Sequence, residues 1–155
     1  MTPAINFLKT AKVEFTVLEY DHDPDHHSYG LEASEKLGIA PEQVFKTLVV
    51  SFDQEKLAVA IVPVSQQLDL KLFAKAIHTK KVSMADKILV EKTTGYVIGG
   101  VSPLGQKKRL KTIIDSSAKH YDTINVSAGK RGLEVKLNPQ DLLTLTEGKF
   151  YPISK

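Results

Sequence analysis

Cysteine is absent from the 155 residues. Its absence excludes disulfide frameworks, thiolate zinc sites, iron–sulfur clusters and a cysteine nucleophile. It suits a reducing compartment. Long hydrophobic runs are missing too: no apolar stretch approaches the ~18 residues that a membrane span needs. The opening Met1-Thr2-Pro3-Ala4 lacks a basic segment followed by an apolar core, so no signal peptide is expected. A cytoplasmic protein with no membrane partner is the expectation. What is present is ordinary for a globular chain, with 42% hydrophobic and 25% charged residues. A chain of this length can bury roughly two-thirds of its unfolded surface without a metal or disulfide staple. Residues 1–155 are read as one domain.

The net charge of +3 conceals an asymmetry. Residues 1–77 carry 7 Lys/Arg against 11 Asp/Glu, and residues 78–155 carry 14 against 7. A basic half on a small domain suits an anionic partner, nucleic acid first. It equally suits a solvated surface kept soluble by its charge.

The patterning alternates short helices and strands. Thr2 and Pro3 are placed as cap and first residue of a helix carrying Ala4, Ile5, Leu8 and Ala11 on one face. A strand is expected from Phe15 to Tyr20, then a polar loop over 21–28 and a helix over 31–37 stopped by Gly38. Pro41 opens a further helical turn. The Val- and Ile-rich runs 45–50 and 57–64, separated by Asp53-Gln54-Glu55, predict a central strand pair. Helices are expected over 70–77 and 86–92, strands over 112–115, 123–126 and 133–137, and a last helix over 139–145. The mixture predicts an α+β (mixed α/β) fold with a curved mixed sheet.

Four features carry possible chemistry. Lys46 shares a strand face with Leu48 and Val50. A lysine there either snorkels from a strand end or is held inside as base, Schiff-base amine or anion clamp. Six of the nine glycines lie between Gly95 and Gly132. Within that stretch, Gly99-Gly100-Val101-Ser102-Pro103 can turn and expose N–H groups to a phosphate or oxyanion, or serve simply as a turn. The segment 100–107 fails as a phosphate-binding loop of the GxxxxGK[ST] type, because Gln106 holds the lysine position and no Ser/Thr follows. Ser127-Ala128-Gly129-Lys130-Arg131-Gly132 reads as a basic β-turn or as a place where a phosphate backbone approaches. Gln106-Lys107-Lys108-Arg109 with Lys111 adds a basic run, a solvated face or an RNA footprint. His22, His26 and His27 lie among Asp21, Asp23 and Asp25, but Pro24 disfavours the helix that would align two ligands. His78 and His120 are isolated, so no metal centre is expected.

These segments together resemble the YbaK/EbsC family of bacterial aminoacyl-tRNA deacylases over nearly the whole chain. The resemblance rests on Tyr20-Asp21-His22-Asp23-Pro24, Phe45-Lys46-Thr47-Leu48, Leu68-Asp69-Leu70-Lys71, Lys80-Lys81-Val82, Met84-Ala85-Asp86 and Thr94-Gly95-Tyr96. It continues through residues 99–109 and 126–133, where Ala128 replaces the family's glycine. It implies a barrel-like mixed sheet with flanking helices, a single editing domain and no cofactor. The implied activity is trans-editing hydrolysis of Cys-tRNA(Pro), with Cys-tRNA(Cys) as a further candidate. The implied partners are the acceptor end of tRNA(Pro) and prolyl-tRNA synthetase. The family's essential lysine falls on Lys46 and its glycine–proline loop on Gly99, Gly100, Val101, Ser102 and Pro103. Tyr20, Thr47, Ser127 and Gly129 match positions near its pocket. Lys107, Lys108, Arg109, Lys130 and Arg131 are the expected tRNA contacts. Glu134 occupies a position that varies in the family and is left outside the site.

The resemblance also implies that the substrate's cysteine thiol attacks its own carbonyl and leaves as a cyclic thioester. The protein would then need only to fold the substrate and stabilise the oxyanion; backbone N–H groups of residues 99–102 are the expected donors, and Lys46 is expected to hold the terminal phosphate or the ester oxygen as a cation. Two other classes stay open: a non-catalytic tRNA-binding module that assists a synthetase, and a Schiff-base enzyme using Lys46.

Overall fold

The computed structural model describes residues 1–26 and 28–155. The elements, in order, are α1 (Pro3–Ala11), β1 (Phe15–Glu19), α2 (Tyr29–Leu37), β2 (Phe45–Phe52), β3 (Lys56–Pro63), α3 (Leu70–Ala76), β4 (Val82–Met84), α4 (Lys87–Thr94), β5 (Lys111–Asp115), β6 (Ile124–Lys130), β7 (Leu133–Leu137), α5 (Pro139–Thr146) and β8 (Lys149–Tyr151). Short 3-10 turns lie at Pro41–Gln43 and Ser116–His120.

Among the described residues, the strands form two sheets. One is antiparallel, in the order β1-β7-β6, and the other is mixed, in the order β4-β2-β3-β5-β8. In the second, β2–β3 is an antiparallel hairpin while β3–β5 and β5–β8 run parallel. The isolated parallel bridge Val44–Asn125 joins the two sheets at one corner. The fold is thus the α+β mixed-sheet arrangement expected from the sequence, though the sheets do not close into a barrel.

Strand β3 explains the layering. Its residues Leu57 to Pro63 are all buried, because both faces of the sheet are covered and alternate side chains point opposite ways. Leu57, Val59 and Ile61 enter a core shared with α1, α5 and the antiparallel sheet. Ala58, Ala60 and Val62 enter a second core closed by Phe73, Ala74 and Ile77. Helix α1 is fixed at its start by Thr2, whose Oγ1 accepts from Ile5 N at 3.3 Å and donates to the Ala128 carbonyl at 2.5 Å. The antiparallel sheet is two-faced in the same way. Val126, Ala128, Val135 and Leu137 face α1, which leaves Ser127 and Glu134 on the opposite face.

Four elements depart from the sequence expectation. β4 and β8 have three residues each, too few to show a period; they exist because β2 and β5 offer edges to pair with. β6 runs on to Lys130, with a register irregularity between Ser127 and Lys130. The segment read as a six-residue basic turn is therefore mostly strand, and only Arg131 and Gly132 make the turn. Helix α2 starts at Tyr29, two residues before the expected Leu31.

A buried carboxylate orders the chain ahead of α2. Glu32 is fully buried. It accepts from Asp23 N at 2.6 Å and pairs with Lys36 at 3.2 Å and Arg131 at 3.6 Å. Burial pushes its carboxyl up, but the Asp23 hydrogen bond and the Lys36 cation outweigh this and hold it below the usual range. Arg131 also donates to the carbonyls of Asp23 and His26 and lies 4.0 Å from the Tyr29 ring centroid. Removing one partner of such a buried pair typically costs about 3–5 kcal/mol.

Candidate active site

A cleft of about 400 Å³ opens where the N-terminal end of β2 meets the outward face of the antiparallel sheet. Its lining includes Tyr20, Tyr29, Lys46, Thr47, Met84, Gly99, Val101, Ser127, Lys130, Arg131 and Glu134. Strand β2 supplies Lys46 as its second residue, paired with Val62. Cross-strand register places Ser127 opposite Glu134, and Glu134 opposite Leu18.

The polar groups of this cleft are short of partners. Six buried side-chain polar atoms lack a hydrogen bond among the described residues; Thr47 Oγ1, Arg131 Nε and Glu134 Oε1 belong to residues that line the cleft. Such groups are costly unless something binds them. A second depression, of about 350 Å³ between α1 and α5, carries none of these atoms. Lys46 is half-buried, and its Nζ has no ion pair or hydrogen bond among the described residues; desolvation lowers its pKa. It is an unspent cation in a partly dry site. Burial likewise raises the Tyr20 phenol, with the neighbouring Glu134 and Glu32 carboxyls adding to the effect. Ser127 Oγ accepts from Gly129 N at 3.1 Å, which leaves its own O–H proton free to donate.

The glycine loop follows α4, which Asp86 caps and Gly95 ends in the left-handed region at φ 84. Gly99 stands at φ 95, and a Cβ there would come within 2.8 Å of the Tyr29 ring; one on Gly100 would meet Lys130 Cα at 2.8 Å. Both positions need glycine to let the loop approach the cleft wall. Of the four residues expected to donate, Gly100 is excluded, since its N–H is spent on the Val97 carbonyl at 2.8 Å. The N–H groups of Gly99, Val101 and Ser102 make no hydrogen bond among the described residues. The Ser102 side chain is structural. It is fully buried, and its Oγ accepts from Leu104 N at 3.2 Å while its carbonyl accepts from Gln106.

The other expected site residues separate. Pro103 lines the second depression instead of the cleft. Gly129 packs against Tyr96 and Thr2. Lys107 lies along Gly95, and Arg109 pairs with Glu147 and faces the second depression. Lys108 is exposed and lines neither opening. Of the five expected tRNA contacts, Lys130 and Arg131 reach the cleft. Arg131 is already committed to Glu32, Asp23, His26 and Tyr29. Among the described residues no three His, Asp or Glu gather as metal ligands; His27 lies outside them.

Sequence reasoning missed Glu134. Its only signal was a charge inside Leu133-Glu134-Val135-Lys136-Leu137, which an alternating strand accommodates on its polar face. That face proves to be the cleft, and Glu134 is 7% exposed with its carboxyl pushed up by burial to about 8. The acid form is therefore favoured in the folded state. This contribution to stability is complete below the ordinary carboxyl value of 4.5 and is lost as pH rises through 8. The loss is on the order of 5 kcal/mol above pH 8. Urea unfolding between pH 5 and 9 should show this decline in wild type and a flatter profile in Glu134→Gln. Parallel profiles would place the carboxyl in contact with water.

Residues 23–145 match the model of the aminoacyl-tRNA editing domain family. A protein of Enterococcus faecalis, provisionally named Cys-tRNA(Pro)/Cys-tRNA(Cys) deacylase EbsC, is 41% identical over 153 residues, covering 99% of this chain and 93% of its own. A solved structure described, also provisionally, as a trans-editing enzyme for prolyl tRNA synthetase superposes with TM-score 0.84 at 22% identity, covering 99% of this chain and 95% of that one. The structure of the hypothetical protein APE2540 gives TM-score 0.88 at 19% identity over 99% and 100% of the two chains. These two structures share the fold; the Enterococcus relative and the family model carry the assignment further. On that footing the chain belongs to the aminoacyl-tRNA editing domain family, in its YbaK/EbsC group, and its activity is of the aminoacyl-tRNA deacylating kind.

Proposed function

We propose that this protein removes cysteine from Cys-tRNA(Pro), with the scissile ester in the cleft beside Lys46. The observation that carries the reading is the concentration of unpartnered polar groups in that cleft, set in a family that edits aminoacyl-tRNA. The Enterococcus relative bears the same substrate in its name.

The chemistry follows from what the cleft offers. The cysteine thiolate of the substrate attacks its own ester carbonyl, forming a C–S bond and a tetrahedral oxyanion. The oxyanion collapses, the C–O bond to the ribose breaks, and the ribose oxygen takes up a proton. A cyclic thioester departs and opens in water. Placing the two reacting groups on one bound molecule can contribute ~7–11 kcal/mol in favourable cases, less the strain of the small ring. The N–H groups of Gly99 and Val101, which line the cleft, are the free donors for the oxyanion, whereas Ser102 is fully buried outside its lining; a single donor of this kind is worth about 3–4 kcal/mol in other enzymes. Lys46 holds the terminal phosphate or the ester oxygen as a cation. Lys130 guides the strand at the rim. Prolyl-tRNA synthetase is the expected partner that presents this tRNA, and residues 1–155 act as one editing domain.

The test is a panel of aminoacyl-tRNAs followed by deacylation time courses, with and without prolyl-tRNA synthetase. Cys-tRNA(Pro) should lose its amino acid fastest. Binding of the acylated tRNA without release would identify an accessory module instead, and a borohydride-trapped adduct on Lys46 would identify a Schiff-base enzyme.

A further inference from the structure

No step of the reaction above uses Glu134. It lines the cleft on β7, opposite Ser127 on β6 and Leu18 on β1. Its side chain is more than nine-tenths buried, and Oε1 has no partner among the described residues. No ion pair reaches it there; Arg131, which lines the same cleft, turns its Nη2 to Glu32 and to the carbonyls of Asp23 and His26, while its Nε stays without a hydrogen bond among the described residues. A dry carboxyl with no cation beside it waits for one, since charge is tolerated in such a place only when paired. The aminoacyl ester brings a cation with it, at its α-amine.

We infer that Glu134 determines specificity for the free α-amine of the aminoacyl ester, so that the cleft takes esters of unblocked amino acids and turns away N-acylated ones. This rests on the deacylase reading. The groups are matched in basicity: the Glu134 carboxyl is raised to about 8, and α-amines titrate at about 8. Apart, both groups hold a proton at neutral pH; brought together, the ammonium favours the carboxylate form of Glu134, and the hydrogen bond between them is charge-assisted. An N-acyl group removes the basic nitrogen and adds bulk inside a cleft of about 400 Å³. The consequence would be that a peptide or formyl group on the amine protects an aminoacyl-tRNA from this protein.

The experiment compares Cys-tRNA(Pro) with N-acetyl-Cys-tRNA(Pro), which keeps the attacking thiol, in wild type, Glu134→Gln and Glu134→Asp. Wild type should favour the free amine by about tenfold to a hundredfold in kcat/KM, mostly through KM. Glu134→Gln should lose that factor on the free amine while changing by less than about threefold on the acetylated ester. Glu134→Asp should keep the preference. Equal wild-type rates on the two esters would overturn the inference and leave the deacylase reading standing. Equal losses on both esters in Glu134→Gln would reduce Glu134 to a structural part. Release from neither ester by wild type would overturn the deacylase reading and the inference together.

Discussion

Replacing Lys46 with alanine should lower deacylation of Cys-tRNA(Pro) by about 10²–10³-fold, the range seen when one stabiliser of developing charge is removed. The effect should fall on kcat/KM and leave the fold intact. Lys46 is half-buried without an ion pair or hydrogen bond among the described residues, and desolvation already disfavours its charge. Its loss therefore breaks no native interaction, and thermal unfolding of Lys46→Ala should stay within a few degrees of wild type. Lys46→Arg should not restore full activity. A planar guanidinium on a longer stem meets an anion from a different position than a compact ammonium does. A folded Lys46→Ala protein turning over at the wild-type rate would remove the lysine from the mechanism.

The second large effect concerns the substrate. If the nucleophile belongs to the bound amino acid, serine in place of cysteine on the same tRNA should react about a hundredfold more slowly or worse. A hydroxyl is scarcely ionised at neutral pH, whereas a few per cent of a thiol is thiolate. The cysteine rate should also climb about tenfold per pH unit until the thiol ionises near 8.5. The Ser-tRNA rate should lack that inflection. Comparable rates on the two esters, with one pH profile, would point to an activated water. The zero cysteine count of the chain makes the reading clean, because any thiol signature must come from the substrate.

Much of this arrangement is legible in the residues. The doubly buried hairpin β2–β3 announces itself as two Val/Ile runs, and Thr2, Asp86 and Gly38 mark helix ends where the structure has them. Lys46 stands out because a charge in an apolar strand is rare. What the sequence hides is set by pairing and by facing. The short strands β4 and β8 depend on neighbours far along the chain. Glu134 looks like any polar-face residue until the opposite wall of the cleft is in place. The basic run 107–109 looks equal to Lys130 and Arg131 in charge, yet Arg109 turns to Glu147 while Arg131 lines the cleft. Charge counts carry no direction, and the geometry of the 99–105 loop supplies it.

The parallel pairing of β3 with β5 has a consequence for how the protein comes into being. The β2–β3 hairpin is local and can close early, but β3 must hold an open edge until β5 is made about fifty residues later. Contacts this distant in sequence slow folding and expose strand edges meanwhile. The cleft takes longer still, since its lining runs from Tyr20 to Glu134. On a translating ribosome, a chain that has not yet released β7 carries Lys46 but no site around it. The editing activity should thus switch on only when nearly the whole chain has emerged.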